Sequence, residues 1–549
     1  MLACINFRGP SPPERGLGVR PISVQFSSNY LGNKKNLYMK SNQIRMKIMM
    51  AAGVFLLTAN NSFSQKTGIF TSHTDVGEIL HPGTTTYNAG TDTYEISGSG
   101  ANIWFTHDDF QYAWKKIKGD FIIQARAKFI GKGVEEHRKI GLMARASLDS
   151  TSAMVAATVH GSGLTSLQYR KITKTNVEEE QFSISGPDEI QLERKGNLYI
   201  MSVAHFGEPF VTEQIMDIDL GDDVYVGLFI CAHNKDVVEK ATFDNVRIYI
   251  PAGKDLVPYK NYLGSNIETM DVFTGDRKIV YSENVSLQAP NWTVDGKSLI
   301  YNSNGSLYRF DLKTKRPTLI NTGNLKDINN DHVISFDGKM LGISARSPDG
   351  KIGSVGYTVP ISGGQPKLIT PLLGFSYLHG WSPDGKWLTF TGKRNNDPTP
   401  AGFDIYKIPS KGGKEIQLTS APGLDDGSEY SPDGKYIYFN SERSGLMQLW
   451  RMKPDGSDQE QITNDEYNNW FAHVSPDGKW IVCITFLKGE AAPDDHPFYK
   501  HVYLRMMPAS GGPLKVIAYL YGGQGTINTP SWSPDSKKIA FVSNTDMSK

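Results

Sequence analysis

One short segment recurs six times in the second half of the chain, and it dictates most of what that half can fold into. The units read NWTVDGKSLIYN, VISFDGKMLGIS, GWSPDGKWLTFT, EYSPDGKYIYFN, HVSPDGKWIVCI and SWSPDSKKIAFV. Their glycines, or the serine of the last, fall at 296, 338, 385, 434, 478 and 536. Such spacing is the length of one four-stranded propeller blade. A second segment recurs between them as strand, Gly-containing turn, strand: FDIYKIPSKGGKEIQLT, LWRMKPDGSDQEQIT and VYLRMMPASGGPLKVI. S-P-D-G encodes a tight hairpin, because Pro presets φ at the first corner, Asp caps the turn and Gly accepts positive φ. Asp384, Asp433 and Asp477 therefore read as turn formers, and residues 347–350 as a plain turn inside the second unit. The last unit stops after two strands, whereas residues 267–282 (IETMDVFTGDRKIVYS) carry the outer-hairpin pattern with no S-P-D-G before it. Pairing those two pieces closes a ring of six blades and leaves no sheet edge open.

These repeats resemble the PD40-type, WD40-like repeats of TolB-like propellers over residues 266–549. The resemblance implies a six-bladed β-propeller over 267–549 and is weak on activity, since such propellers serve binding proteins, peptidase regulatory domains and lyases alike. Residues 66–250 alternate polar and apolar in short runs, among them GDFIIQARAKFIG, SAMVAATVH and DVYVGLFICAHN, which is a β-sandwich pattern. The runs IQLERKGNLYIMSV and FDNVRIYI resemble concanavalin-like (laminin-G-like) jelly rolls, including the DUF1349 type. That superfamily contains sugar binders and domains that only stabilise a partner domain. Trp104, Phe105, Phe110, Tyr112 and Trp114 form an aromatic cluster that reads either as core or as a sugar platform. Residues 251–266 read as the linker. The expected fold class is all-β, a jelly-roll sandwich followed by the propeller.

Residues 40–47 are basic and 48–59 (IMMAAGVFLLTA) are apolar, a run too short to span a bilayer. The pattern is a signal peptide over 39–64, cut near Ser64, behind an upstream extension at 1–38. The mature chain is then expected in the periplasm or secreted. No later run reaches 18 apolar residues, so no membrane span is expected. Residues 1–48 hold eight Lys/Arg against Glu14 alone, leaving 50 basic against 56 acidic residues in the remainder. That balance gives no electrostatic case for nucleic acid. Cys4, Cys231 and Cys483 form no disulfide framework, and the latter two read as buried thiols.

The S-P-D-G turns share one face of a propeller. The connectors entering each first strand, and the loops between second and third strands, share the other. That second set (DINNDHVIS, GFSYLHGWS, GLDDGSEYS, DEYNNWFAHVS, YGGQGTINTPSWS) places Asp331, His332, His379, Asp425, Asp426, Glu429, Asn468, Asn469, Trp470, His473, Gln524 and Asn528 near the mouth of the channel. The longest inter-strand loop, LKGEAAPDDHPFYKHVY, adds Asp494, Asp495, His496, Tyr499, Lys500 and His501. Imidazoles, carboxylates and an amide on one axis are ingredients of a divalent-metal site (Mn, Ca or Zn), with His332, His379, His473, His496 and Gln524 as candidate ligands. They also suit acid–base work on a sugar, with His379, His473, Glu429, Tyr499 and Lys500 as candidate catalytic groups. Asp425, Asp426, Asn468, Asn469, Trp470, Gln524 and Asn528 are candidate binding residues. For each histidine alone, a structural hydrogen bond to a neighbouring blade is the default. The Asn pair and the Gly522–Gly525 stretch also read as turn chemistry, and Trp470 reads equally as channel wall or stacking face.

No G-x-S-x-G, P-loop, CxxC or dinucleotide fingerprint is present. Two readings stay open. One is a non-catalytic protein whose channel mouth binds a glycan or an envelope protein. The other is a carbohydrate-active enzyme, a lyase or hydrolase using the His/Glu/Gln funnel, with oligogalacturonate lyases as a precedent in kind.

Overall fold

The computed structural model describes residues 67–394 and 402–548. The expected signal peptide, its cleavage site and the upstream extension lie outside the described residues.

Residues 72–249 form two seven-stranded antiparallel sheets. The first runs in the order Ser72–Val76, Phe110–Lys118, Asp223–Cys231, Lys139–Arg145, Met154–His160, Thr165–Arg170, Glu178–Gln181. The second runs Val211–Ile215, Leu198–Ala204, Glu189–Lys195, Phe121–Ile130, Glu239–Tyr249, Thr93–Gly98, Thr84–Asn88. Alternate residues of both sheets, among them Leu142, Val155 and Leu228 from the first and Ile123, Leu192 and Phe243 from the second, meet in one buried core. That is the packing a period-2 pattern demands. Phe110 and Tyr112 of the aromatic cluster are buried on the outer face of the first sheet, beside Met143 and Phe229. The Tyr112 hydroxyl donates to the carbonyls of Met143 and Tyr225. Phe105 is exposed. Cys231 and Cys483 are buried free thiols.

The second half is a six-bladed propeller. Five blades are four-stranded, and their innermost strands are Gln288–Trp292, Ile328–Ile334, Ser376–Trp381, Asp425–Tyr430 and Asn468–Val474. The sixth blade joins the two ends of the ring, Gly264–Asp271 pairing antiparallel with Lys538–Thr545 from Gly264↔Thr545 to Asp271↔Lys538. Arg277–Glu283 adds the outer strand, and a bridge from Trp532 to Ile539 supplies the inner one.

All six S-P-D-G-type turns have one geometry. The Ser or Thr hydroxyl donates to the Asp carboxylate at 2.6–2.7 Å. The same carboxylate oxygen accepts the amide two residues on. The five glycines have φ between 69° and 72°, and Ser536 takes 60°. These aspartates are thus consumed by the turn. Residues 347–350 repeat the arrangement between two strands of the second blade.

The two-sheet unit is clamped onto the fifth and sixth blades. Phe210 stacks on Tyr519 with centroids 4.0 Å apart, and Val516 N–H donates to Gly207 O. Ile122 and Tyr249 pack with Leu263, Phe498, Tyr499 and Tyr521. His501 of the fifth blade stands between Glu193 of the two-sheet unit (3.2 Å) and Glu490 (3.4 Å). Burial opposes its charge, but those two carboxylates outweigh burial and lift the imidazole to about 9.

Glu268 ties the ring closure to this interface. Fully buried on Gly264–Asp271, it accepts from Arg247 of the two-sheet unit (3.1 Å), from Arg277 (2.8 and 3.2 Å) and from the Ser543 hydroxyl (2.6 Å). Burial pushes its carboxyl up, yet Arg277 and then Arg247 overrule it and hold it at about 2. A depressed carboxyl stabilises the fold above its unfolded value and loses that contribution as pH falls through about 2. Glu268→Gln is expected to cost about 3 kcal/mol at pH 7 by leaving the buried Arg277 without its counter-charge and Arg247 with Asp92 alone. The penalty should shrink toward pH 2, as read by urea unfolding at the two pH values.

Candidate functional site

The inner strand of each four-stranded blade carries a register shift, at 288/291, 328/332, 378/380, 426/429 and 470/473. A bulge re-aims the residues around it, and here it aims polar side chains at the axis. In the fifth blade Phe471 adopts φ 59° at the bulge. Its N–H donates to Asn440 Oδ1 at 3.1 Å. Gly427 of the fourth blade makes room for it, since a Cβ there would stand 2.8 Å from the Phe471 ring. Three histidines surround that ring: His379 (5.9 Å), His473 (6.4 Å) and His496 (5.6 Å).

On the loop side of this ring the channel is charged. His379 Nε2 lies 3.1 Å from Asp426 Oδ1, which also accepts the Thr391 hydroxyl at 2.6 Å. Burial raises the Asp426 carboxyl, but His379, His496 and Thr391 bring it down to about 2. Burial disfavours a charged His379, yet Asp331, Asp426 and Glu429 hold it above its ordinary value. Asp331 is raised to about 6, by burial first and by Asp426, against the pull of His379. Burial lowers His496, with Asp426 and Asp495 offsetting part of the effect. The long loop after the fifth blade's second strand delivers His496, whose ring lies 4.3 Å from Trp470.

On the turn side lies His473, with Nδ1 2.7 Å from Glu429 Oε2 and Nε2 2.5 Å from the Ile527 carbonyl. Glu429 Oε1 accepts the Val474 N–H. Both ring nitrogens of His473 face oxygen atoms, so the ring is held between the Glu429 carboxylate and the Ile527 carbonyl. Beyond this pair a cavity of about 270 Å³ opens among the S-P-D-G turns. His379, Glu429 and Asn291 belong to its lining. Its wall is the residue before each Ser or Thr of the repeat, one from each blade: Trp292, Ile334, Trp381, Tyr430, Val474 and Trp532. The indoles of Trp381 and Trp532 donate to the neighbouring blade's carbonyls at Val333 and His473. Val294 and Phe336 stand exposed at the rim.

The structure brings together Asp331, His379, Asp426, Glu429, His473 and His496 of the residues singled out from sequence, and it disperses the others. Tyr499, proposed as catalytic, accepts from Leu263 N–H inside the interface with the two-sheet unit. Lys500 pairs with Glu490 at 3.8 Å beside it. Both sit there because the loop turns away from the axis after His496. Asp425 pairs with Arg443 at 2.6 Å. Asn469 is locked by Asp465, Thr485 and Arg505 and by Gln448 and Thr463 of the fourth blade. Asn468 ties Met447 N–H to the carbonyl of Ala491. Trp470 is fully buried and offers no stacking face. Gln524 and Asn528 close a turn on each other at 2.7 Å.

The five candidate metal ligands do not assemble. His332 is buried between blades with Nε2 3.3 Å from the Ile300 carbonyl, and burial lowers it to about 4. His473 has both nitrogens engaged, and Gln524 is spent on Asn528. Among the described residues no three His, Cys, Asp or Glu are grouped to hold an ion. The donor set does not fit a metal. Sequence reasoning also passed over Phe471, Asn291 and the apolar collar. The collar had a signal: a bulky apolar residue precedes the Ser or Thr in all six repeats.

Asp331 gives a measurable consequence. Its folded value lies above the ordinary carboxylate value, so its contribution favours folding at low pH and is lost as pH rises through about 6. Asp331→Asn is therefore expected to stabilise the chain by about 2 kcal/mol at pH 8 and by nothing measurable at pH 3.5, in denaturant titrations.

A family model for the TolB beta propeller domain matches residues 354–492. An uncharacterized protein of Agrobacterium fabrum, Atu1656, is 43% identical over 279 residues, which is 51% of this chain and 92% of the relative. A solved Agrobacterium tumefaciens structure given the name TolB shares 42% identity over 52% of this chain and 99% of its own, with a TM-score of 0.48. TolB from Acinetobacter baumannii shares 21% over 48% of this chain and 64% of its own, with a TM-score of 0.37. On the identity and coverage of the Agrobacterium fabrum relative, together with the matched repeats, this chain belongs to the TolB-like PD40 β-propeller proteins.

Proposed function

We propose that this is an exported protein, periplasmic or secreted, whose propeller binds an envelope protein partner at an end of its axial channel. The two-sheet unit acts as an accessory of the concanavalin-like, DUF1349-type jelly-roll class. The observation that carries the reading is the collar cavity: an apolar wall contributed by every blade, open at the turn face, with exposed Val294 and Phe336 at its rim. Sequence reasoning looked to the loop face. There, most polar groups bond one another and the long loop delivers His496 beside Trp470 and Phe471. A cavity walled mostly by apolar side chains suits a protein segment better than a polyhydroxylated glycan, whose many hydroxyls would need more polar partners than Asn291, His379 and Glu429 supply. Phe336→Asp, placed at the rim where folding does not depend on it, is expected to abolish capture of the partner from host envelope extracts. The wild type should retain one saturable partner. Equal capture by both proteins would end this reading.

One observation keeps a catalytic reading in view: Asp331 raised toward neutrality lies close to a raised His379, a pairing suited to acid–base work on an oligosaccharide. This reading requires no metal. An oligosaccharide panel followed for unsaturated or hydrolysed products decides it. Turnover should fall at least 100-fold in both Asp331→Asn and His379→Gln; no turnover by the wild type sinks it.

A further inference from the structure

Asn291 stands in the collar cavity and differs from every other polar group there. It is 2% exposed, and its Nδ2 has no hydrogen-bond partner. A buried amide donor without an acceptor is costly, and native interiors tolerate few. The polar neighbours at the floor are already satisfied. Glu429 spends both oxygens on His473 and Val474 N–H, and His379 is paired with Asp426. No unpaired charge is left there to meet a charged group, so the missing component of the cavity is a neutral acceptor. About 270 Å³ has room for one large side chain with its flanking peptide groups and no more.

Resting on the partner-binding reading above, we infer that the cavity receives one bulky apolar side chain from an extended segment of the partner, and that a peptide carbonyl of that segment accepts from Asn291 Nδ2. The Trp381 and Trp532 rings, held by their own hydrogen bonds, supply a rigid apolar wall that needs no reordering on binding. Recognition is then divided: the collar selects for apolar bulk, and Asn291 selects for a peptide over a bare hydrocarbon.

The probes are N-acetyl-phenylalaninamide, which carries ring and carbonyl together, and toluene, which carries the ring alone. Both are titrated into the full chain by calorimetry, with collar tryptophan fluorescence as a second readout. Both should bind saturably. Asn291→Asp, which replaces the donor by an acceptor of the same shape, is expected to weaken the amide about tenfold and leave toluene unchanged. Asn291→Ser, which shortens the donor out of reach, should act in the same sense. Equal amide affinity in wild type and Asn291→Asp overturns the inference, as does absence of amide binding to the wild type. Loss of toluene binding in both variants also overturns it, because Asn291 would then be a structural group. If Phe336→Asp abolishes partner capture while the amide fails to bind, the partner-binding reading stands and this one falls.

Discussion

The antiparallel pairing of Gly264–Asp271 with Lys538–Thr545, with Glu268 at its centre, is the contact on which the rest of the molecule depends. A propeller is a repeat array in which each blade buries its faces against its neighbours, so an unclosed ring leaves two blades half-covered. Closure here joins segments about 275 residues apart in sequence, a large loop-closure cost that local contacts cannot offset. The Glu268 cluster meets that cost with a buried carboxylate shared by two guanidiniums and a hydroxyl. One of the guanidiniums, Arg247, comes from the two-sheet unit, and Asn245 of the same strand bonds Gly275 and Arg277 of the closing blade. The two-sheet unit is thereby part of the ring's fastening, and its position on the fifth and sixth blades follows from where the closure lies.

With the ring closed, the axis divides at Phe471. Toward the loops, Asp331, His379, Asp426 and His496 share charge in a water-poor space, and each raises or lowers its neighbours. Toward the turns, the six residues before Ser or Thr make an apolar wall. The division follows from strand geometry: consecutive residues of a strand alternate faces, and the register shift in the inner strand of each four-stranded blade changes that alternation once. The polar residue above a bulge and the apolar residue below it can both reach the axis.

The blade count, the closing blade and the role of the S-P-D-G aspartates were legible because each rests on local rules repeated six times. Turn chemistry reads directly from Ser382, Asp384 and Gly385, and the period reads from their spacing. The site was legible only in part. Asp331, His379, Asp426, Glu429, His473 and His496 do converge, since inner-strand placement follows from the repeat. Trp470 and Asn469 were misplaced because the bulge at 470/473 decides which of four successive residues faces the axis, and no local signal sets its position. Tyr499 and Lys500 were misplaced because their partners, Leu263 and Glu490, belong to the linker and to the loop's own far end. The apolar collar was visible in every repeat but was passed over, because a bulky residue before a tight turn carries no sign of which way it faces: Trp381 and Trp532 hold neighbouring blades together and line the cavity at once.

The long loop after the fifth blade's second strand explains its own length through its anchors. Leu487 packs at the start against the cluster of Ala204, Tyr503, Val516 and Tyr519. Ala491 O takes the Asn468 amide, and His496 enters the channel beside Trp470. Pro497 O then accepts Gln524 N–H, Tyr499 seals against Leu263, and Lys500 and His501 reach Glu490 and Glu193. A two-residue hairpin could satisfy none of these. The loop therefore runs from the docked two-sheet unit to the channel and back within about a dozen residues. Its His496 is positioned by the same contacts that clamp the unit in place. The docked unit and the charged end of the channel are for that reason one mechanical assembly, whereas the collar end is built by the blades alone.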